Sequence, residues 1–467
     1  MKRRLFIVLM CLAYVVQAWA QDFEVGGIYY KNIETNIVEV TSGDNRYEGD
    51  IVIPSSINVF EEEFYVVGID NLAFNNNSSI TSVTIPHTVY NIGNFAFEGC
   101  SSLTAIHVDA DNEEYSSIDG VLFNRAQTKI YVYPKQKQST TYTIPATVIE
   151  IEANTFLGSK LTEVIIPSGL ISIGDFAFAG SLSLSSVVLP ASVKKIGGAA
   201  FYSCISLKEV TIPSGVEEII MTAFANCTSL TLFHADDNNL NYSSEDGILF
   251  NKDKTRLVCF PGGKAGEYIV PDKVTDIEIA AFHGCKLLRS VKLPSLITSL
   301  KEYCFFECSL LEEIVIPKSV TAISRGAFQG CSSLKMVQVN WNTPLEIDPD
   351  LGVFNNISLE ECTLYVPVGT KALYESADVW KDFGTIIEGD MPTSINTPES
   401  ESKIYIAGNT LYINTPLAET ISVYSIKGEL LYTFAKSAGE ASFSLNKDQE
   451  QMLIVKSSSG ETTKFVR

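Results

Sequence analysis

The chain has 467 residues, with 34 Lys plus Arg against 55 Asp plus Glu and a formal net charge of −21 at pH 7. So acidic a surface repels phosphate backbones and anionic headgroups, which excludes nucleic-acid binding and membrane-surface binding. The length allows two or three compact domains or one elongated array.

Residues 1–20, MKRRLFIVLMCLAYVVQAWA, read as an export leader. Lys2, Arg3 and Arg4 supply the basic start, Leu5 to Val16 the apolar run, and Ala18-Trp19-Ala20 a small-x-small cleavage site before Gln21. The run is too short for a comfortable membrane span and no second one follows, so no transmembrane segment is expected after cleavage. Cleavage leaves 31 basic residues against 55 acids, a net charge of −24, and nine cysteines. An odd cysteine count in an oxidising compartment first points to disulfides plus one spare thiol. Residues 21–73 read as an N-terminal cap and first coil.

From residue 74 to 363 a repeat dominates. "SLSSVVLPASVKKIGGAAFYSC" (183–204) and "SLKEVTIPSGVEEIIMTAFANC" (206–227) share S-L-x-x-V-x-L/I-P-x-x-V-x-x-I-x-x-x-A-F-x-x-C, and Phe178, Phe201 and Phe224 lie 23 apart, as do Pro167, Pro190 and Pro213. A period of this size means a stacked array in which no unit buries its apolar side alone. In "LKEVTIP", Val210 and Ile212 alternate with Glu209 and Thr211, as in a strand with one buried face. Pro213 ends it. "GVEEI" returns with Val216 and Ile219 turned inward, and "TAFANC" brings Phe224 as the large core filler. Successive strands are then parallel, and roughly twelve coils stack at about 4.8 Å per strand. Cys100, Cys204, Cys227, Cys285, Cys308 and Cys331 share one slot of the repeat. A ladder of packed thiols explains them best. Disulfides between neighbouring coils meet poor S–S geometry, and a metal site lacks paired C-x-x-C or His partners.

"YSSIDGVLFN" at Tyr115 returns as "YSSEDGILFN" at Tyr242, 127 residues on. Phe97, Phe123, Phe178 and Phe201 recur at the same offset as Phe224, Phe250, Phe305 and Phe328, and Phe156 recurs as Phe282, one residue short. A block of about five coils was therefore duplicated, and the decapeptide marks an irregular coil inside it. Asp119-Gly120 and Asp246-Gly247 signal tight turns, and "VLFNRAQTKIYVYP" and "ILFNKDKTRLVCFP" read as hairpins. "DADNEEYSSIDG" (109–120) alternates acids like the start of a calcium loop, but Glu114 stands where glycine is needed and Gly120 where a bidentate glutamate is needed. A solvated turn is the expectation. No metal and no cofactor are expected.

Residues 364–388, "LYVPVGTKALYESADVWKDFGTIIE", read as a closing cap, with Leu373, Ala377 and Trp380 on one face of a short helix covering the last coil. Residues 389–402 are Pro-, Ser- and Thr-rich and read as a linker. Residues 403–467 drop the period for short alternating strands, with turns at Lys427-Gly428 and Ser459-Gly460, and read as a small β-sandwich.

These residues resemble the BspA-like leucine-rich-repeat family of bacterial surface proteins. The likeness runs from about Phe23 to Glu388 and rests on the I-P-x-x-V-x-x-I-G-x-x-A-F-x-G-C period and the Y-S-S-x-D-G-x-L-F-N coil. Asn226 and Glu307 depart from it by replacing the corner glycine, and the Phe156 coil lacks the Cys. The resemblance implies a repeat solenoid, a right-handed superhelix of short parallel strands with turns and short helical segments. It also implies a protein secreted from a bacterium or held on its outer surface, working by adhesion to a host extracellular-matrix protein, another surface protein or a glycan. No short motif carries that activity. The C-terminal module is similar to sorting domains of the type IX secretion pathway in V-Y-S-x-K-G-E-L (423–430) and its terminal basic strand. It departs from them at Gln451-Met452-Leu453, where those domains carry G-x-Y.

An enzyme is not expected. The four histidines, His87, His107, His234 and His283, accompany no nucleophile elbow, H-E-x-x-H or phosphate loop. Ser192 and Ser319 sit at ordinary turns of the repeat. A stack of parallel strands presents an extended wall to partners. Its outward row is Thr84, His107, Ile165, Val188, Thr211, His234, Lys292, Val315 and Gln338, and Thr84, His107, Thr211, His234, Lys292 and Gln338 are the candidate contact residues. The competing expectation is a structural or scaffolding envelope protein without a discrete soluble ligand.

Overall fold

The computed structural model describes residues 22–43 and 47–392 and seven strands between 403 and 466. The expected leader and positions 393–402 of the expected linker lie outside the described residues. Two compact units divide at Met391 and Pro392.

The first unit is a β-solenoid of about 14 turns, two more than the sequence period counts, because the cap strands also join the stack. The coil at 206–227 shows the build. Glu209–Ile212 is a strand with Val210 and Ile212 buried and Glu209 and Thr211 exposed. It pairs in parallel with the next coil, Thr211 opposite His234. Past the proline turn, Glu218–Ile219 pairs in parallel with Lys195–Ile196, which pairs with Ser172–Ile173. The chain thus has two parallel ladders per coil; the repeat pattern predicts the first, and the returning segment proves to be a strand as well.

A third ladder runs through the corners. The residues two before and two after each corner Phe sit in the left-handed region, as Phe176 (φ 55°) and Gly180 (φ 66°) do around Phe178. Alternate N–H groups then point along the stack. Phe176 donates to the Gly198 carbonyl (2.9 Å), Phe178 to Ala200 (2.7 Å) and Gly180 to Tyr202 (2.8 Å). Ser203, Asn226 and Glu307 take the same left-handed position as the corner glycines, with φ of 57°, 58° and 55°.

Inside, the corner rings stack face to face. Phe178 lies 4.8 Å from Phe156 and 5.1 Å from Phe201, and Phe201 lies 5.3 Å from Phe224, all within 3° of parallel. Beside the rings, Cys204, Cys227, Cys308 and Cys331 each donate Sγ–H to the carbonyl of the Phe 26 residues earlier, at 3.1–3.2 Å. Ser181, in the same slot, makes the same bond to Phe156 at 2.9 Å. The nine cysteines beyond the leader are buried free thiols. Burial pushes the Cys100 thiol up to about 11 and Cys204 to about 12, so these sulfurs stay protonated packing atoms.

The core divides into three apolar clusters, and both breaks fall at the irregular coils. There the decapeptide has a structural task for nearly every residue. Asp119 and Gly120 (φ 49° and 75°) make the two-residue turn joining Tyr115–Ile118 to Val121–Asn124. The Tyr115 hydroxyl accepts from Ile92 N–H (3.1 Å), and Tyr242 from Ile219 (2.7 Å), standing in for a carbonyl of the second ladder. Ser117 caps Val108 N–H and Ser116 donates to the Asn124 carbonyl. Asn124 Oδ1 then holds the Thr128 and Lys129 amides at the hairpin turn.

The cap differs from its expectation. The helix is a single turn, Lys371–Tyr374, followed by a 3-10 turn at Trp380–Asp382. Because the helix stops after one turn, the spacing of Leu373, Ala377 and Trp380 does not define one face. Leu373 is 48% exposed, and Tyr374 is buried in its place. Tyr374 donates to the Trp341 carbonyl (2.8 Å) and Trp380 Nε1 to Leu345 (2.7 Å). The cap also runs past residue 388, since Met391 is buried.

The second unit contains two antiparallel sheets. Lys403–Ala407, Thr410–Thr415 and Gly439–Ser444 form one, and Leu430–Lys436, Glu419–Ser425, Met452–Ser457 and Thr462–Val466 form the other. Among the described residues, no helix is long and apolar enough to cross a membrane.

Candidate recognition surface

The alternation of each strand puts one residue per coil on the outer strand row, and the parallel register aligns them. Val52 lies opposite Thr84 and Thr84 opposite His107. Thr143 lies opposite Ile165. Ile269, Lys292, Val315, Gln338, Tyr365 and Ile387 follow rung by rung. His107, Thr211, His234 and Lys292 are exposed and Thr84 is half-buried. The candidates thus share one row but form no single cluster.

Gln338 is a correction. It is buried, its amide donates to Asn340 Oδ1 (3.0 Å) and Asp390 Oδ1 (3.1 Å), and its oxygen accepts from Met391 N–H (2.9 Å). The end of the cap, Asp390 and Met391, folds over this rung, and only strand alternation, not the covering segment, is readable from local sequence.

The middle of the row carries two exposed apolar groups in succession. Ile165 is 50% and Val188 80% exposed on successive coils, with Thr143 before them and Thr211 and His234 after. Val52, Thr143, Ile269, Tyr365 and Ile387 also belong to the row; the coils of Val52, Thr143, Tyr365 and Ile387 depart from the 23-residue pattern, whereas Ile269 follows it, 23 residues before Lys292. The neighbouring column brings acids, Glu163, Glu209 and Glu267, all exposed. At the N-terminal end Asp50 accepts from Thr81 Oγ1 (2.7 Å) and Ser82 Oγ (2.6 Å), and these hydrogen bonds, the Ser82 one first, hold its carboxyl below the usual range.

The second ladder has a different surface. Its cations pair across rungs with acids of a neighbouring coil, Lys194 with Glu217 (2.8 Å), Lys195 with Glu218 (3.2 Å) and Lys301 with Asp276 (2.8 Å). That face pairs its charges across rungs, whereas the strand row leaves apolar and polar groups open, Lys292 among them.

The acidic loop at 109–120 is pinned by a residue that a solvated turn would leave outside. Asn112 is fully buried, donating to the Pro86 (2.9 Å) and Val89 (2.8 Å) carbonyls and accepting from the Glu114 (3.0 Å) and Tyr115 (2.7 Å) amides. Asn239 repeats the arrangement in the second block. The recurrence of Asn at the 127-residue offset was the available signal. Among the described residues, no three His, Cys, Asp or Glu side chains gather as a metal site.

Comparison with known proteins accords with this architecture. The family model for the BspA type leucine rich repeat region matches in six copies, over residues 67–139, 128–245 and 256–376. Among solved structures, a leucine rich cell surface protein from Faecalibacterium prausnitzii is 22% identical with a TM-score of 0.45, covering 80% of this chain and 96% of its own. The pneumococcal vaccine antigen PcpA is 19% identical with a TM-score of 0.44, over 80% and 99%. A leucine-rich repeat protein from Bacteroides ovatus is 22% identical with a TM-score of 0.37, over 79% and 100%. No curated protein matches the chain.

Proposed function

The chain belongs to the BspA-type leucine-rich-repeat family, and from that premise we propose that it is an exported, surface-exposed binding protein. It recognises a host-matrix protein, another surface protein or a glycan through its strand row, in the manner of an adhesin. One observation carries this reading: Ile165 and Val188 stand open on successive coils, flanked by Thr211 and His234. Adjacent exposed apolar groups rimmed by polar ones mark contact surfaces, where scattered single ones do not. The mixture of neutral polar and apolar groups fits protein or glycan chemistry better than a charged polymer.

The test is immobilised full-length protein against a panel of matrix proteins and glycans. A Val188→Glu, His234→Glu, Lys292→Glu variant is expected to bind its panel partner at least tenfold more weakly with an unchanged melting curve. Equal binding by variant and wild type overturns the assignment to this row. Self-association without any saturable partner replaces it with scaffolding.

We further propose that residues 403–467 direct export or surface attachment, on the strength of the V-Y-S-x-K-G-E-L run and the terminal strand Thr462–Val466. Deleting 403–467 and fractionating the producing cells is expected to remove the protein from the surface. Undiminished surface display ends the sorting role.

A further inference from the structure

The two duplicated blocks differ where the irregular coils interrupt the corner ladder. In each block the strand after the hairpin, Lys129–Val132 or Arg256–Cys259, runs directly into Tyr133-Pro134 or Phe260-Pro261 without building a corner segment. The preceding corner loses its neighbour. Around Phe74, Phe156, Phe178, Phe201, Phe282, Phe305 and Phe328, all three corner amides donate along the stack. Among the described residues, the amides of Phe95, Phe97 and Gly99 meet no carbonyl. On the facing wall the carbonyl of Thr155 takes the Tyr133 N–H (3.0 Å), while those of Ala153 and Leu157, the acceptors a corner below would use, receive nothing.

In the second block the same gap is narrower, although among the described residues the Thr222 and Phe224 amides also meet no carbonyl. Asn226 N–H reaches the His283 carbonyl at 3.0 Å. Phe233 packs edge-on against Phe224 with ring centroids 5.3 Å apart, and the space left is about 20 Å³. In the first block the equivalent cleft measures about 250 Å³, with Leu103, Leu122 and Tyr131 inside and Phe95 at its mouth. The copies differ at several positions around this gap, Phe95 against Thr222 and Tyr131 against Val258 among them, and two further differences bear on its closure. Ile106 stands where the second block has Phe233, and Lys135-Gln136 stand where it has Gly262-Gly263. A Cβ on Gly262 would lie 2.7 Å from the Cys227 carbonyl oxygen and one on Gly263 2.8 Å from the Ser229 carbonyl carbon. A side chain at 262 would thus crowd the coil below, whereas the backbone at the next position keeps its place in both copies, Gln136 N–H reaching the Leu103 carbonyl (2.9 Å) and Gly263 N–H the Leu230 carbonyl (2.8 Å).

We propose that this cleft binds a short peptide that enters as the missing corner rung. Its carbonyls accept from Phe95, Phe97 and Gly99, its amides donate to Ala153 and Leu157, and an apolar side chain at its centre takes the space above the Phe97 ring. The hydrogen-bonding polarity of both walls is that of the stack itself, which favours a peptide backbone over a sugar. The site is separate from the strand row, and its test reads out independently of that surface.

The chain's own corner sequence supplies the probe. Arg325–Gly330, RGAFQG, has glycine at both left-handed positions (φ 59° and 78°). The capped hexapeptide, fluorescently labelled, is titrated against full-length protein, with the same peptide carrying Ala for Phe328 as control. Saturable binding is expected to the wild type, at least tenfold weaker for the control peptide. It is expected to be at least tenfold weaker for the Ile106→Phe variant and for Ile106→Phe, Lys135→Gly, Gln136→Gly, each confirmed folded by its melting curve. Absence of saturable binding to the wild type overturns the proposal. So does equal affinity for the Ile106→Phe variant, or a glycan that binds the cleft where the peptide does not.

Discussion

His283 occupies the corner position that Leu157 holds in the first block. Its ring lies between Tyr202 (centroids 5.5 Å) and Phe306 (4.7 Å), and its buried Nε2 has no hydrogen-bond partner. Burial, with the nearby Lys286 charge, lowers its pKa from 6.5 to about 4. A depressed folded-state value means that the unfolded chain binds the extra proton first. The stability is therefore complete above about pH 6.5 and is lost as pH falls towards 4. The window corresponds to roughly 3 kcal/mol at most. Urea titrations at intervals across it are expected to show the wild type weakening more steeply than His283→Leu, which carries the first block's choice of residue. Parallel profiles for the two proteins would reject His283 as the cause. The thiol slot shows the opposite tolerance at the same scale. Cys204 and Ser181 make the same bond to a preceding carbonyl, so any small donor that packs beside the ring suffices.

Among the elements, the parallel strands and the ring stack were legible because each coil restates them. Val210 and Ile212, Pro213 and Phe224 recur in register, and repetition averages away the ambiguity of any one short strand. The corner ladder was not legible. It depends on left-handed backbone at two positions per coil, and only one of them shows a glycine with any regularity. Ser203, Asn226 and Glu307 adopt it anyway, each at a cost of about 1 kcal/mol or more, because the hydrogen bonds along the stack and the buried Phe hold the corner in place. The decapeptide is legible as architecture through its duplication, whereas Asn112 is not, since a polar residue in a polar loop looks solvated until its four partners are seen. The cap misled for a related reason. Helical spacing suggests one face for Leu373, Ala377 and Trp380, but the helix ends after one turn, and it is Tyr374 and Trp380 that reach the carbonyls of Trp341 and Leu345. At the candidate surface the row itself followed from alternation, whereas the burial of Gln338 came from a segment 52 residues away.

In the regular coils the ladder, ring and thiol contacts run between neighbours, so stability there is a sum of coil and interface terms. Removing one full period should therefore heal. Deleting residues 184–206 joins Ser183 to Leu207 and restores the S-L-x-x-V pattern at the junction. Phe224 then stacks on Phe178, and Cys227 finds the Phe178 carbonyl that Cys204 used. The ion pairs lost, Lys194–Glu217 and Lys195–Glu218, lie on the surface and are each worth about 1 kcal/mol or less. A deletion of half a period, residues 184–195, removes the strand but keeps the corner, so Phe201 arrives with no strand to close its coil. Thermal unfolding followed by far-ultraviolet circular dichroism separates the cases. The full-period deletion is expected to stay folded and melt cooperatively a few degrees below the intact chain, and the half-period deletion to lose the cooperative transition. Equal behaviour of the two deletions would mean that the coils do not act as interchangeable units, and the copied block would then owe its survival to something other than stacking.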